Sequence, residues 1–249
     1  ISVFNINLKM PIIEAFFDEY DKNTIYEVVN KLLNKGIIEK VDKNAGVYYA
    51  VTSKTIKLAL IERMDVNYKN KLNEKAAWVL EKIDKDKYSE EILFHFENSF
   101  NVNKIIEYYL IKYNNPLYIK DRSLAISKIR KLVKPITVKC SLEGINLLII
   151  LGDLLLMDEK KDEAKIYFKL GEKLSQKIKN YDLQFETLNK IVFILQNDLN
   201  LKESKKYIYK QKKILKNHYK LSFKLWICLE EAFNLYYNKE FEKAISICN

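Results

Sequence analysis

At 249 residues with 48% apolar side chains, the chain is long enough to bury one large core or two medium ones. Only 5 glycines and 3 prolines are available for turns, which excludes a many-stranded β architecture and points to helices. The net charge of +10 divides as +1 over residues 1–64, +4 over 65–138 and +5 over 139–249, so it reads as a diffuse surplus rather than a nucleic-acid face.

Residues 10–17 carry Ile12, Ile13, Phe16 and Phe17 at helical spacing with Pro11 in the first turn, which predicts a short helix. Asn23 and Thr24 cap a second helix that sets Ile25, Val28, Val29, Leu32 and Leu33 on one face, with Gly36 as a left-handed C-terminal cap. Two β-branched segments, residues 37–41 and 47–51, flank Asp42-Lys43-Asn44-Ala45-Gly46, a composition that favours a hairpin turn. Helix, helix, hairpin is the winged-helix order, and residues 1–64 are assigned to it. As a DNA reader the second helix offers only Lys31 and Lys35, with Glu27 among them and no Arg, where phosphate and guanine contacts want several cations. DNA reading therefore ranks below a protein partner. Residues 65–100 are expected to form connecting helices.

From residue 101 to 249 the chain reads as helix pairs. Residues 104–113 and 121–133 form a degenerate pair around Asn114-Asn115-Pro116, with Ala125 and Ile129 facing inward. After Ile145 a period of 40 appears: Gly152, Val192 and Ala232 are small or slim; Leu155, Leu195 and Leu235 follow; Ala164, Ser204 and Ala244 repeat the small residue. Small residues at such points let paired backbones approach, while Leu148, Leu151, Leu155 and Phe168 fill the groove between them. The string LGDLLLMDEKKDEAKIYFKLGEKL resembles a tetratricopeptide repeat, whose usual period is about 34 residues, so each unit here has longer helices.

The strings VFNINLKMPIIEAFF and TIYEVVNKLLNKGIIEKV, a wing ending YYAVT, then IKLALIERM, LNEKAAWVLEKI, EEILFHF and NKIIEYYLIKY, together resemble the region that follows the nucleotide-binding core of STAND-type signalling ATPases. These are relatives of the maltose-regulator class of activators and of large bacterial sensors. The resemblance implies a mainly α fold: a small winged-helix unit with a β-hairpin, then a right-handed superhelix of tetratricopeptide-like pairs. It further implies that the winged helix packs on an upstream ATPase core and that the repeats bind a protein or peptide. Ser53-Lys54 stands where relatives commonly have a His after the wing strand.

No Gly-rich loop with a Gly-Lys pair is present, and His95 and His218 stand apart from any nucleophile or acid in catalytic spacing. No catalytic, cofactor or metal site is therefore expected. His95, between Phe94 and Phe96, reads as a buried helix residue, and Tyr108, Tyr167, Phe168 and Tyr207 as packing residues. Cys140, Cys228 and Cys248 are odd in number and widely spaced, which suggests neither disulfides nor a metal site. The longest apolar segment, residues 145–157, is too short to span a bilayer and contains Asp153, and no secretory leader opens the chain. A cytoplasmic protein without membrane contact is expected. Ile1 in place of Met, and an amphipathic run still in progress at Asn249, suggest a piece of a longer protein. By the resemblance, the concave face lined by the first helix of each pair places Asn146, Asp153, Glu186, Asn189, Phe193, Gln196, Phe233 and Tyr236 outward, as candidate partner contacts.

Overall fold

The computed structural model describes residues 2–43 and 46–248, so Ile1, Asn249, and Asn44 and Ala45 of the expected hairpin turn lie outside the described residues. The chain divides into two compact units, Ile1–Tyr108 and Tyr109–Asn249.

In the first unit α1 (Met10–Phe16) takes Pro11 into its first turn and buries Ile12, Ile13 and Phe16. Next, α2 (Lys22–Asn34) begins at a different cap from the one expected. Asp21, not Asn23 or Thr24, accepts the Thr24 N–H at 3.0 Å. A carboxylate there satisfies a free amide and also opposes the positive end of the helix dipole. Gly36 ends α2 at φ +63, with its own N–H bonded to the Leu33 carbonyl and the Ile37 N–H to that of Leu32. That left-handed cap is the one the sequence implied. The strands β1 (Ile38–Lys43) and β2 (Gly46–Val51) pair antiparallel, with Ile38 opposite Val51. There follow α3 (Lys54–Glu62), α4 (Val66–Asp84), α5 (Ser89–Ser99) and α6 (Val102–Lys112). Ala76, Ala77 and Leu80 of α4 and Ile92 and Phe96 of α5 are fully buried, whereas α3 buries no residue.

The second unit continues with a 3-10 turn (Pro116–Tyr118), α7 (Arg122–Arg130) and α8 (Val133–Lys139). Residues 121–133 were expected to form one helix; the chain instead breaks at Lys131 and Leu132. Pro135 has no N–H for the Lys131 carbonyl, and it disfavours a continuous α conformation just upstream. The 40-residue period is borne out. The pairs are α9 (Leu142–Met157) with α10 (Lys161–Lys177), α11 (Tyr181–Asn197) with α12 (Leu201–Asn217), and α13 (Leu221–Tyr237) with α14 (Phe241–Cys248). Gly152 and Val192, Leu155 and Leu195, and Ala164, Ser204 and Ala244 are all buried, as register residues should be. Phe185 of α11 and Phe223 of α13 stack with centroids 3.8 Å apart, joining successive pairs within a core that includes Leu188, Val192, Ile208 and Ile227.

From α9 to α14, four of the five turns between helices are built around one residue in the left-handed region: Glu159, Lys179, Leu199 and Lys239, at φ between 55 and 64. Around Leu199 the Asn200 N–H bonds the Leu195 carbonyl and the Leu199 N–H bonds that of Gln196, and the other three turns repeat the pattern. The α12–α13 connection departs from it, His218 lying at φ −144. With so few glycines, the chain places side chains where Gly is favoured, at a cost of about 1–2 kcal/mol each. Leu199 is largely exposed and loses little packing on truncation. Leu199→Gly is therefore expected to stabilise the protein by about 0.5–1 kcal/mol, after the greater freedom of Gly in the unfolded chain is counted. Urea unfolding checks this, and a loss of stability would mean that the turn is held by contacts of the Leu199 side chain.

Candidate partner-binding face

The first helices of the three pairs, α9, α11 and α13, neighbour one another in order. On them, residues at i, i+3 and i+7 share a face, and the 40-residue period aligns three such rows: Asn146, Glu186 and Trp226; Ile149, Asn189 and Leu229; Asp153, Phe193 and Phe233. Six of the eight residues singled out from sequence, Asn146, Asp153, Glu186, Asn189, Phe193 and Phe233, lie on this face. All six retain solvent exposure, with Phe193 at 56%.

The α9–α11 end of the face is polar. Lys190 donates to both carboxylate oxygens of Asp153, at 2.7 and 2.9 Å, clamping α9 to α11. Glu186 reaches solvent at its edge, yet protein on its flanks desolvates it and raises its carboxyl above the usual range, against the pull of Lys190 and with the push of Asp153. Toward α13 the face turns apolar: Trp226 is 50% exposed and Leu229 58%. A peptide with an apolar anchor at one end and a polar segment at the other matches this gradient. Lys190, Trp226 and Leu229 were missed in the sequence reading, although adding 40 to Glu186 and Asn189 finds the last two.

Gln196 is a correction. It was expected to face outward but is 8% exposed, and its Nε2 donates to the Glu230 carbonyl at 2.8 Å and to Asn234 Oδ1 at 3.2 Å. The next helix, α13, covers it. Tyr236 stands 40 residues on from Gln196, so it occupies the stacking side of α13 rather than the shared face. It is 58% exposed because no described helix packs over that side, where it meets the rings of Tyr237 and Phe241.

The first unit carries an apolar cleft of about 460 Å³ between α1, α2 and the hairpin, lined chiefly by Ile13, Phe17, Ile25, Val29, Leu32 and Leu60. His95 is fully buried, with Nδ1 2.8 Å from Asn73 Oδ1 and Nε2 3.3 Å from Glu91, so it belongs to a packed polar cluster. Among the described residues, no helix is long and apolar enough to cross a membrane.

Comparison with curated proteins gives no match. A family model described as ABC-three component (ABC-3C) system Middle Component 2 matches residues 19–124, less than half of the chain. Among solved structures, a Signal Transduction ATPase with Numerous Domains (STAND) protein with a tetratricopeptide repeat sensor, from Pyrococcus horikoshii, is similar over 99% of this chain and 35% of its own, at 13% identity and a TM-score of 0.51. The chain thus spans about a third of the length of that protein. The likeness establishes the fold: mainly α, with a two-stranded hairpin in the first part and helical repeats in the second.

Proposed function

We propose that this chain is a non-catalytic interaction and regulatory arm of a larger cytoplasmic signalling assembly. A winged-helix-like unit docks on a partner such as a nucleotide-binding core, and tetratricopeptide-like repeats receive a protein or peptide on the α9–α11–α13 face. The observation that carries this reading is the graded face itself: three aligned rows on α9, α11 and α13 whose side chains, apart from the buried Ile149, all reach solvent, polar at α9 and aromatic at α13. The STAND likeness and the family match, whose description names one component of a three-component system, support a partner that is itself a protein. The apolar cleft of the first unit suits docking on protein. DNA reading by α2 gains nothing, because α2 exposes Tyr26 and Val28 beside Lys31 and Lys35.

The test is co-purification of the chain with the other components of its assembly. Phe193→Asp and Trp226→Asp are expected to leave melting nearly unchanged, as exposed substitutions do, and to lower partner recovery at least tenfold, about 1.4 kcal/mol or more. The chain alone should bind no magnesium-ATP by titration. Full partner recovery by both variants, or tight ATP binding, would overturn the reading.

A further inference from the structure

The surplus charge is less diffuse than segment totals suggest. Helix α12 alone holds seven lysines, Lys202, Lys205, Lys206, Lys210, Lys212, Lys213 and Lys216, against the single acid Glu203, a net of +6 in a chain of +10. Three of them are compensated by acids elsewhere in the chain: Lys210 meets Glu172 of α10 at 3.2 Å, Lys212 meets Glu231 of α13 at 2.6 Å, and Lys205 lies in the field of Glu240, in the α13–α14 turn. Lys202, Lys206, Lys213 and Lys216 remain exposed, with Glu203 the one acid of α12 near the first two. At 100° per residue these four fall within one quarter of the helix surface, a straight stripe about 21 Å long. Tyr209 sits at its centre, 61% exposed, with the Lys213 ammonium 4.9 Å from its ring centroid.

We propose that this stripe is a docking track for single-stranded nucleic acid, separate from the partner face on α9, α11 and α13. All seven cations are Lys and none is Arg. Lys is depleted at protein interfaces, where Arg and its fork of donors are favoured, whereas point charges in a row suit a sequence-neutral phosphate chain. An exposed ring between lysines offers a face on which an unpaired base stacks. A membrane surface would need exposed aliphatic side chains on the same face, and α12 exposes none.

The test is fluorescence anisotropy with a labelled oligothymidine of about 20 nucleotides and its duplex counterpart, titrated with the full chain. Four contacts give a salt slope of about −3, so affinity should fall about 50-fold between about 50 and 200 mM salt. Changing Lys202, Lys206, Lys213 and Lys216 together to Gln should abolish most binding and flatten that slope, while the same four changed to Arg should keep it. Tyr209→Ala should weaken single-strand binding about fivefold or more and leave duplex binding unchanged. A control that removes the same charge from the exposed Lys31, Lys35, Lys40 and Lys71 should bind like the parent chain. Equal loss in that control, a silent Tyr209→Ala, or capture of phosphatidylserine vesicles by the stripe without oligonucleotide binding would each overturn the proposal.

Discussion

Gly152→Leu is expected to destabilise the second unit by about 3 kcal/mol, which for a unit of this size lowers its melting temperature by about 6–12 °C. Helix propensity alone predicts the opposite sign, since Leu is favoured over Gly by nearly 1 kcal/mol in a helix interior. Packing decides. A Cβ on Gly152 would stand 2.4 Å from Phe168 Cε1 and 2.5 Å from Cζ, and Phe168 is fully buried with nowhere to swing. Helices α9 and α10 must separate or the ring must leave its rotamer. The cause is separable by combination: Phe168→Leu in the same chain should recover part of the loss, because the two residues contact each other and their effects do not add. Calorimetric melts of both singles and the double check this. A Gly152→Leu protein that melts at or above the parent would show that the backbones do not meet at this position.

Glu230→Gln is expected to stabilise the protein at high pH and leave it unchanged at low pH. Glu230 is 6% exposed, and Gln211 Nε2 donates to its Oε1 at 3.3 Å, while its other oxygen and the Gln211 Oε1 are both buried without a partner. A proton on Glu230 gives that pair of acceptors a donor. Burial pushes the Glu230 carboxyl up to about 8, against the Gln211 hydrogen bond and with help from the neighbouring Glu231 charge. Above its ordinary value of 4.5 and below about 8, the unfolded chain has lost this proton while the folded chain keeps it, so stability falls as pH rises through that window. Below the window both states are protonated and the contribution is complete; above it both are ionised and the loss is complete. The shift corresponds to at most about 5 kcal/mol, and Gln, which carries its own donor and no charge, should recover about 2–4 kcal/mol of it near pH 9. Urea unfolding of parent and variant across this range gives the difference directly. Parallel pH profiles would show that Glu230 ionises in the folded state at its ordinary value.

The repeat architecture was legible because one period places small residues at buried points in all three copies, at Ala164, Ser204 and Ala244, and Gly152 with Leu155 and Val192 with Leu195 in the first two, while Ala232 and Leu235 of the third are half-buried. The hairpin and the Gly36 cap were legible from composition. The turns were harder to read: with Glu159, Lys179, Leu199 and Lys239 in the left-handed region, no Gly marks the helix ends, and only backbone geometry reveals them. The break before Pro135 follows from a missing N–H that periodicity does not register. At the candidate face the period assigned Asp153, Glu186 and Phe193 to one surface, but it carries no information on what covers the edge of a helix. Gln196 was misplaced for that reason, since the residues of α13 that hold it, Glu230 and Asn234, lie 34 and 38 residues downstream. Lys190 was invisible as a clamp because its partner, Asp153, is 37 residues upstream.

Hydrogen–deuterium exchange of the chain with and without its protein partner tests the central claim most directly. Protection gained by peptides covering residues 186–193 and 226–233, with α14 unchanged, is the result the partner-binding face predicts. Protection confined to residues 10–62, with the repeats exchanging as they do in the free chain, would contradict it and assign partner binding to the first unit alone.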